Sequence, residues 1–159
     1  MKILLLGSLI SAEQMEKLNN SSKEKASVAP VNYETMLAKG LTENGVVMEA
    51  LSVPAVAAFP HSIYKFIDQE QETIEGDIRI CWVPFINIQV LKQLTIKRNV
   101  EKLLEQWLQE NKDIKDKAVL MYSIYPSYTE PAIRLCRKYN CHLSAIIADL
   151  PEYMYSWKN

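Results

Sequence analysis

Five short apolar runs, separated by segments of helical length, constrain the fold of this chain more than any other feature. The runs cover residues 3–6, 46–53, 77–85, 118–124 and 143–148. The first run is apolar at every position, which is typical of a strand with both faces covered. Apolar strands that alternate with helical connections pair in parallel. The sequence therefore predicts an α/β fold, a Rossmann-like parallel sheet flanked by helices.

The segments between the runs show helical periodicity. A helix is predicted to begin at Asn32 and to end at Asn44-Gly45. Its buried face should hold the apolar residues at helical spacing, Tyr33, Met36, Leu37, Gly40 and Leu41. Residues 87–111 predict a long helical stretch, with a kink or a division into two helices at the polar residues 97–99.

The remaining connections give a third helix and two irregular segments. Residues 129–131 are predicted to open a helix, with proline in its first turn. The apolar face of this helix comprises Tyr128, Ala132, Leu135, Cys136 and Tyr139. Residues 11–30 predict a long mobile loop with a short helix near residues 13–18, and residues 63–70 predict a short helix.

Size, charge and cysteine usage narrow the class of protein. We place one α/β domain at residues 1–159. The formal net charge of −1 argues against a nucleic-acid partner, because phosphate contacts need a basic surface. The cysteines form no CxxC motif, which favours free thiols in a reducing compartment and predicts a cytoplasmic protein. A zinc site from Cys136, Cys141 and His142 is the alternative, although no second ligand pair accompanies it.

The ends of the predicted strands are where a ligand should bind, since open parallel sheets bind ligands at the carboxyl ends of their strands. Asp149 is the only carboxylate directly at such an end, so it can act as a general base or hold an acceptor hydroxyl, with turn capping as the alternative. Gly7 and Ser8 either let a ligand approach the backbone or simply end the strand. The dinucleotide, P-loop and hydrolase motifs GxGxxG, GxxxxGK[ST] and GxSxG are absent.

Three segments of the chain resemble a known family. Residues 2–8 resemble its opening strand, and residues 32–47 its first helix, glycine and second strand. Residues 146–151, Ile-Ile-Ala-Asp-Leu-Pro, resemble the strand where the family often places a His-Asp or His-Glu pair, although Ala148 stands in the histidine position. On these residues the chain resembles the N-terminal, acceptor-side domain of retaining-type bacterial glycosyltransferases of the GT-B fold.

The resemblance implies one half of a GT-B fold. The family transfers a sugar from a nucleotide-sugar donor to an acceptor hydroxyl, here in cell-surface polysaccharide or glycolipid synthesis. It implies Asp149 as the catalytic residue, no metal and no cofactor. The expected acceptor-binding residues are Gly7, Ser8, Asn87, Ser123, Tyr125 and Pro151.

The resemblance also implies partners. The acceptor is a sugar or a lipid-linked sugar, and the nucleotide-sugar donor binds a C-terminal domain that has no counterpart in residues 1–159. We therefore expect this chain to be inactive alone. Peripheral contact with the inner face of the membrane is also implied, with residues 91–108 and their basic side chains as the candidate surface. A core-packed helix is the alternative for those residues.

Two other functions fit the same fold, because fold alone does not fix function. The chain can be a stand-alone flavodoxin-like or receiver-like binding module, although it lacks the flavin and phosphoacceptor signatures. It can also be the acceptor subunit of a split enzyme whose donor site lies on a separate chain. Binding of nucleotide sugars separates the first alternative from the glycosyltransferase hypothesis.

Overall fold

The computed structural model describes residues 1–148 and confirms the predicted α/β class. Its helices are α1 Ala12–Asn20, α2 Ala29–Glu43, α3 Gln89–Glu110 and α4 Pro126–Lys138. Its strands are β1 Lys2–Gly7, β2 Val47–Ser52, β3 Phe66–Ile67, β4 Gln71–Ile74, β5 Ile78–Trp82, β6 Phe85–Ile86, β7 Lys117–Tyr122 and β8 His142–Ile146. All five strands expected from the apolar runs are present.

Six of the strands form one sheet in the order β4-β5-β2-β1-β7-β8. The neighbours from β5 to β8 pair in parallel, while β4 pairs antiparallel with β5 at the edge. The chain moves from β1 to β2 and β5 in one direction, and then crosses back to β7 and β8 on the other side. Since such crossovers are right-handed, α2 covers one face of the sheet while α3 and α4 cover the other. The order reverses between β1 and β7, which is the topological switch point.

Strand β1 lies at the centre of this sheet. Its residues 3–6 are buried, and it pairs with β2 and β7 along most of its length. A strand covered on both faces needs apolar side chains in both directions, which explains the run without alternation. The apolar opening of the chain is thus a core element of the fold.

Helix α3 supplies much of the core on one face. It is a continuous helix of 22 residues, so the predicted division into two helices at residues 97–99 is wrong. Ile96, Val100, Leu104 and Leu108 recur every four residues and are all buried. Of the polar residues between the first two, Arg98 is exposed, whereas Asn99 is half-buried and donates to Pro84 O at 2.8 Å. The apolar residues of the first turns, by contrast, are exposed: Val90, Leu91 and Leu94.

Helix α2 buries a different face from the predicted one. It begins at Ala29 rather than Asn32, and its buried residues are Val31, Glu34 and Ala38. Met36, expected in the core, is 76% exposed. The apolar pattern predicted the wrong face, because the face that packs on the sheet contains Glu34. The carboxylate of Glu34 accepts hydrogen bonds from Ser8, at the end of β1.

Three other local predictions are corrected. Residues 63–70 form no helix, and the chain there enters the short strand Phe66–Ile67. In residues 11–30 the short helix predicted near residues 13–18 is confirmed as α1 Ala12–Asn20, but the loop that follows it is shorter than predicted, because α2 begins at Ala29. Helix α4 begins at Pro126, and Pro131 lies inside it. The apolar face expected for α4 is confirmed, since Tyr128, Ala132, Leu135 and Cys136 are buried and Tyr139 packs against them.

A charged cluster ties α3 to the sheet near the amino ends of the strands. The Glu49 carboxylate receives a hydrogen bond of 2.6 Å from Trp107 Nε1 and an ion pair of 3.0 Å from Lys2, and it also pairs with Arg79. Burial acts to raise the pKa of Glu49, but these hydrogen bonds and charges lower it below its usual value.

Within residues 1–148, no helix has the length and apolar character that a membrane crossing requires.

We expect Leu104→Ala to lower the free energy of unfolding by about 2–5 kcal/mol, because it leaves a cavity under α3. Leu104 is fully buried, whereas Leu94 on the same helix is 64% exposed. The matched control Leu94→Ala should change stability by less than about 0.5 kcal/mol. Urea denaturation followed by circular dichroism measures both, and equal costs would show that α3 is not packed along this face.

Candidate functional site

A cleft of about 510 Å³ opens where the order of strands reverses. Its floor is formed by the ends of β1 and β7 and by residues 53–57 after β2. Helices α2 and α3, the start of α4 and the loop of residues 24–27 form its walls. This is the position at which open α/β sheets bind their ligands.

Glu34 is the buried carboxylate of this cleft. It is 1% exposed, and it projects from α2 to the end of β1. The backbone amide of Ser8 donates to its two oxygens at 2.8 and 3.1 Å, and the Ser8 hydroxyl donates at 3.0 Å. Burial raises the pKa of Glu34 from 4.5 to about 7, although the hydrogen bonds from Ser8 and from the Leu9 amide act to lower it. The side chain is thus able to take up or release a proton near neutral pH.

Gly7 is required by Glu34. A Cβ atom on Gly7 would lie 2.5 Å from one Glu34 oxygen and 2.8 Å from its carboxyl carbon. The sequence predicted that a ligand could approach the backbone at Gly7. In the structure the Glu34 carboxylate lies in this position. The Ser8 side chain is half-buried and lines the cleft.

The same contact occupies the backbone amides that follow β1. In dinucleotide-binding folds, the amides that follow the first strand receive a phosphate. Here the amides of Ser8 and Leu9 donate hydrogen bonds to the Glu34 carboxylate. A phosphate at this point would displace an internal carboxylate or lie against its negative charge. This arrangement disfavours a nucleotide phosphate at the end of β1 and leaves the Ser8 hydroxyl for a neutral polar group.

The end of β7 contributes a polar and aromatic wall. Ser123 has a positive φ of 66°, and its amide donates to Ile146 O at 2.9 Å. Tyr125 is 54% exposed and its ring lies 5.4 Å from that of the buried Tyr128. Tyr128 donates to Tyr122 O at 3.3 Å, which fixes the tyrosine pair against the strand. An exposed, supported ring of this kind offers an apolar face with a polar tip to a ligand.

Lys92 of α3 provides the cation of the opposite wall. Its Nζ donates to Val56 O at 2.5 Å and lies 5.3 Å from the centre of the Phe85 ring. Burial lowers the pKa of Lys92. No carboxylate of residues 1–148 forms an ion pair with it.

The structure brings together four of the predicted site residues: Gly7, Ser8, Ser123 and Tyr125 all line the cleft. Asn87 does not, because its buried amide holds the loop above α3 by donating to Ala57 O at 2.8 Å and Tyr64 O at 3.0 Å. The predicted catalytic Asp149 and the predicted acceptor-binding Pro151 lie outside the described residues.

Sequence reasoning missed Glu34 and Lys92. A usable signal existed for Glu34, since Val31 and Ala38 lie three residues before and four residues after it and mark the same helical face. Apolar neighbours on both sides indicate that this carboxylate is buried. No comparable signal existed for Lys92, which lies among the basic residues of the segment predicted as a membrane-contact surface, residues 91–108.

The cysteines lie away from the cleft. Cys136 and Cys141 carry free thiols. Their backbones are connected by a hydrogen bond of 2.9 Å from Cys141 N to Cys136 O. The hydrogen bond between the two thiols lowers the pKa of Cys141. Among residues 1–148, no group of three His, Cys, Asp or Glu side chains is placed to hold a metal ion, so the zinc alternative has no support there.

Comparisons of the chain with protein-family models, with curated proteins and with solved structures gave no match. The cleft joins a titratable carboxylate, hydroxyl groups, an exposed aromatic ring and a lysine.

We expect Glu34 to make stability depend on pH. Its pKa in the folded chain lies near 7, above the usual 4.5, so the native state binds more protons than the unfolded chain between these values. The free energy of unfolding should fall by up to about 3 kcal/mol as pH rises through this window. Urea denaturation between pH 4.5 and 8 should show the fall in the wild type and in the control Glu43→Gln, but a smaller one in Glu34→Gln. Identical profiles for all three would contradict the assignment.

We also expect Gly7→Ala to destabilise the fold by about 1–3 kcal/mol, because the new methyl group overlaps the Glu34 carboxylate. In a Glu34→Ala background the same change should cost much less, since the overlapping atoms are gone. A double-mutant cycle of denaturation free energies measures this coupling. Additive costs would show that Gly7 is required for another reason.

Proposed function

We propose that this chain is the acceptor-binding half of a GT-B glycosyltransferase, which transfers a sugar from a nucleotide-sugar donor to an acceptor hydroxyl. The observation that carries the proposal is the Glu34 carboxylate on the amides that follow β1. It disfavours nucleotide phosphate at this point and favours hydroxyl groups. This is the division of labour expected of an acceptor half, whose donor binds on another domain.

The Ser8 hydroxyl connects the cleft to Glu34. It donates its proton to Glu34 at 3.0 Å, so its oxygen is free to accept a hydrogen bond from an acceptor hydroxyl. When the acceptor oxygen attacks the anomeric carbon, the bond from that carbon to the nucleotide diphosphate breaks. The acceptor proton can then move to Ser8 as the Ser8 proton moves to Glu34, whose pKa near 7 suits a general base.

The second domain would supply the donor and close over the cleft. Closure brings donor and acceptor into contact and excludes water, which would otherwise compete as the acceptor. Tyr125 and Ser123 at the end of β7 would hold the acceptor ring during this step. A donor domain on a separate chain would leave the role of this cleft unchanged.

Peripheral membrane contact belongs to the same proposal. The first turns of α3 expose Val90, Leu91 and Leu94, with the basic Lys97 and Arg98 next to them. Exposed apolar side chains flanked by cations are the composition of an interfacial helix. Such contact would bring a lipid-linked acceptor to the cleft.

A stand-alone nucleotide-binding or flavin-binding module is the competing function. It shares the parallel sheet and the switch point. It would need the amides after β1 for phosphate, and those amides are occupied by Glu34. The two functions therefore predict opposite ligand preferences for this chain.

The test is titration of the isotope-labelled chain with ligands, followed by NMR. We expect methyl glycosides and short oligosaccharides, which carry no phosphate, to shift the amide signals of Ser8, Ser123 and Tyr125. Ser8→Ala should weaken saccharide binding by about tenfold, the worth of one or two hydrogen bonds in a partly buried site. The control Ser144→Ala changes an exposed serine of β8 and should have no effect. Shifts with UDP-glucose alone would favour the binding module.

A further inference from the structure

The charges that face the cleft are not balanced within residues 1–148. Four charged side chains line it: Glu24, Lys25, Glu34 and Lys92. Both carboxylates have partners, since Glu24 lies 3.1 Å from His61 Nδ1 and Glu34 receives the hydrogen bonds of Ser8. Neither lysine has a carboxylate partner in this part of the chain.

Lys92 is the more constrained of the two lysines. Lys25 is exposed and can be solvated, whereas Lys92 is half-buried against Phe85. Its contact with Val56 O satisfies one of its three N–H donors and supplies no negative charge. A partly desolvated ammonium group without an anion is costly, and the cost is recovered when an anion binds.

The surrounding backbone adds to the positive potential. Helix α3 begins at the same edge of the sheet as α2 and α4, and all three lack a side-chain N-cap and any acidic residue in the first turn. The partial positive charge of these helix ends is therefore not cancelled locally. These ends reinforce the site that Lys92 defines.

We propose that the acceptor carries an anionic group, a carboxylate or a phosphate, which binds Lys92 while a hydroxyl of the same molecule binds Ser8. The inference rests on the proposed function, since it names the class of acceptor that the cleft selects. Lys92 lies on the α3 wall of the cleft, and Ser8 lies at its floor, at the end of β1. The cleft volume of about 510 Å³ suits a monosaccharide with one charged substituent. Lys92 is thus the specificity-determining residue, and neutral sugars are the poorer ligands.

The phosphate alternative does not conflict with the disfavoured phosphate at the end of β1. That exclusion concerns the amides of Ser8 and Leu9, which Glu34 occupies. Lys92 lies across the cleft on α3 and its remaining donors are available. An acidic acceptor would therefore be oriented, with its anion at α3 and its hydroxyl at β1.

Three sugars at constant ionic strength test the inference: methyl glucoside, methyl glucuronide and glucose 6-phosphate. Titrations followed by NMR should give at least one acidic sugar a dissociation constant about tenfold lower than that of methyl glucoside, as a charge-assisted hydrogen bond predicts. The tighter of the two acidic sugars identifies the anionic group. Lys92→Met should abolish the preference, so that in this variant the acidic sugars bind no more tightly than methyl glucoside.

Two further variants make the result specific. Lys92→Arg keeps the charge and should retain most of the preference, and Lys102→Met, which removes an exposed lysine of the same helix, should retain all of it. Thermal denaturation of each variant verifies that it is folded. Equal affinities for acidic and neutral sugars, or a preference that survives Lys92→Met, would overturn the inference and leave the proposed function intact.

Titration with inorganic phosphate distinguishes a failure of the anion site at Lys92 from a failure of the proposed function. If no sugar shifts the cleft signals but phosphate does so through Lys92, the anion site stands and the proposed function fails. If neither sugars nor phosphate shift these signals, both the anion site and the acceptor cleft are overturned.

Discussion

The burial of β1 on both faces is the constraint on which the rest of this structure depends. A central strand cannot leave any side chain in water, so residues 3–6 are all apolar and both neighbouring strands pair with it in parallel. Covering both faces requires crossovers in two directions, and these create the switch point between β1 and β7. The position of the cleft is therefore a consequence of how the first strand is buried.

Glu34 converts this topological position into a particular chemistry. Its carboxylate fills the backbone site that nucleotide-binding folds use for phosphate, and it makes glycine necessary at position 7. The burial of Glu34 in this position also raises its pKa to about 7. One buried side chain thus occupies the amides at the end of β1 and places a carboxyl group of raised pKa beside Ser8.

The two ends of the sheet treat charge differently. Near the amino ends of the strands, Glu49 is matched by Lys2 and Arg79 and bonded to Trp107, which fastens α3 to the sheet. At the carboxyl ends, Lys92 of the same helix has only a backbone carbonyl as its polar partner in residues 1–148. Matched charge stabilises a fold, whereas a half-buried cation without an anion favours the binding of one. The contrast supports a structural role for the first end and a binding role for the second.

The sequence by itself determined the class of fold, because the period and length of apolar runs report burial directly. It also placed Gly7, Ser8, Ser123 and Tyr125 at strand ends, and these residues meet in the cleft. It misplaced the buried face of α2, since most apolar residues of this helix lie on another face, and the hydrogen bonds that hold Glu34 come from Ser8, 26 residues away. Only the tertiary structure decided that Glu34 and Lys92 face the same cleft, because their burial and their partners arise from contacts between elements that are distant in the chain.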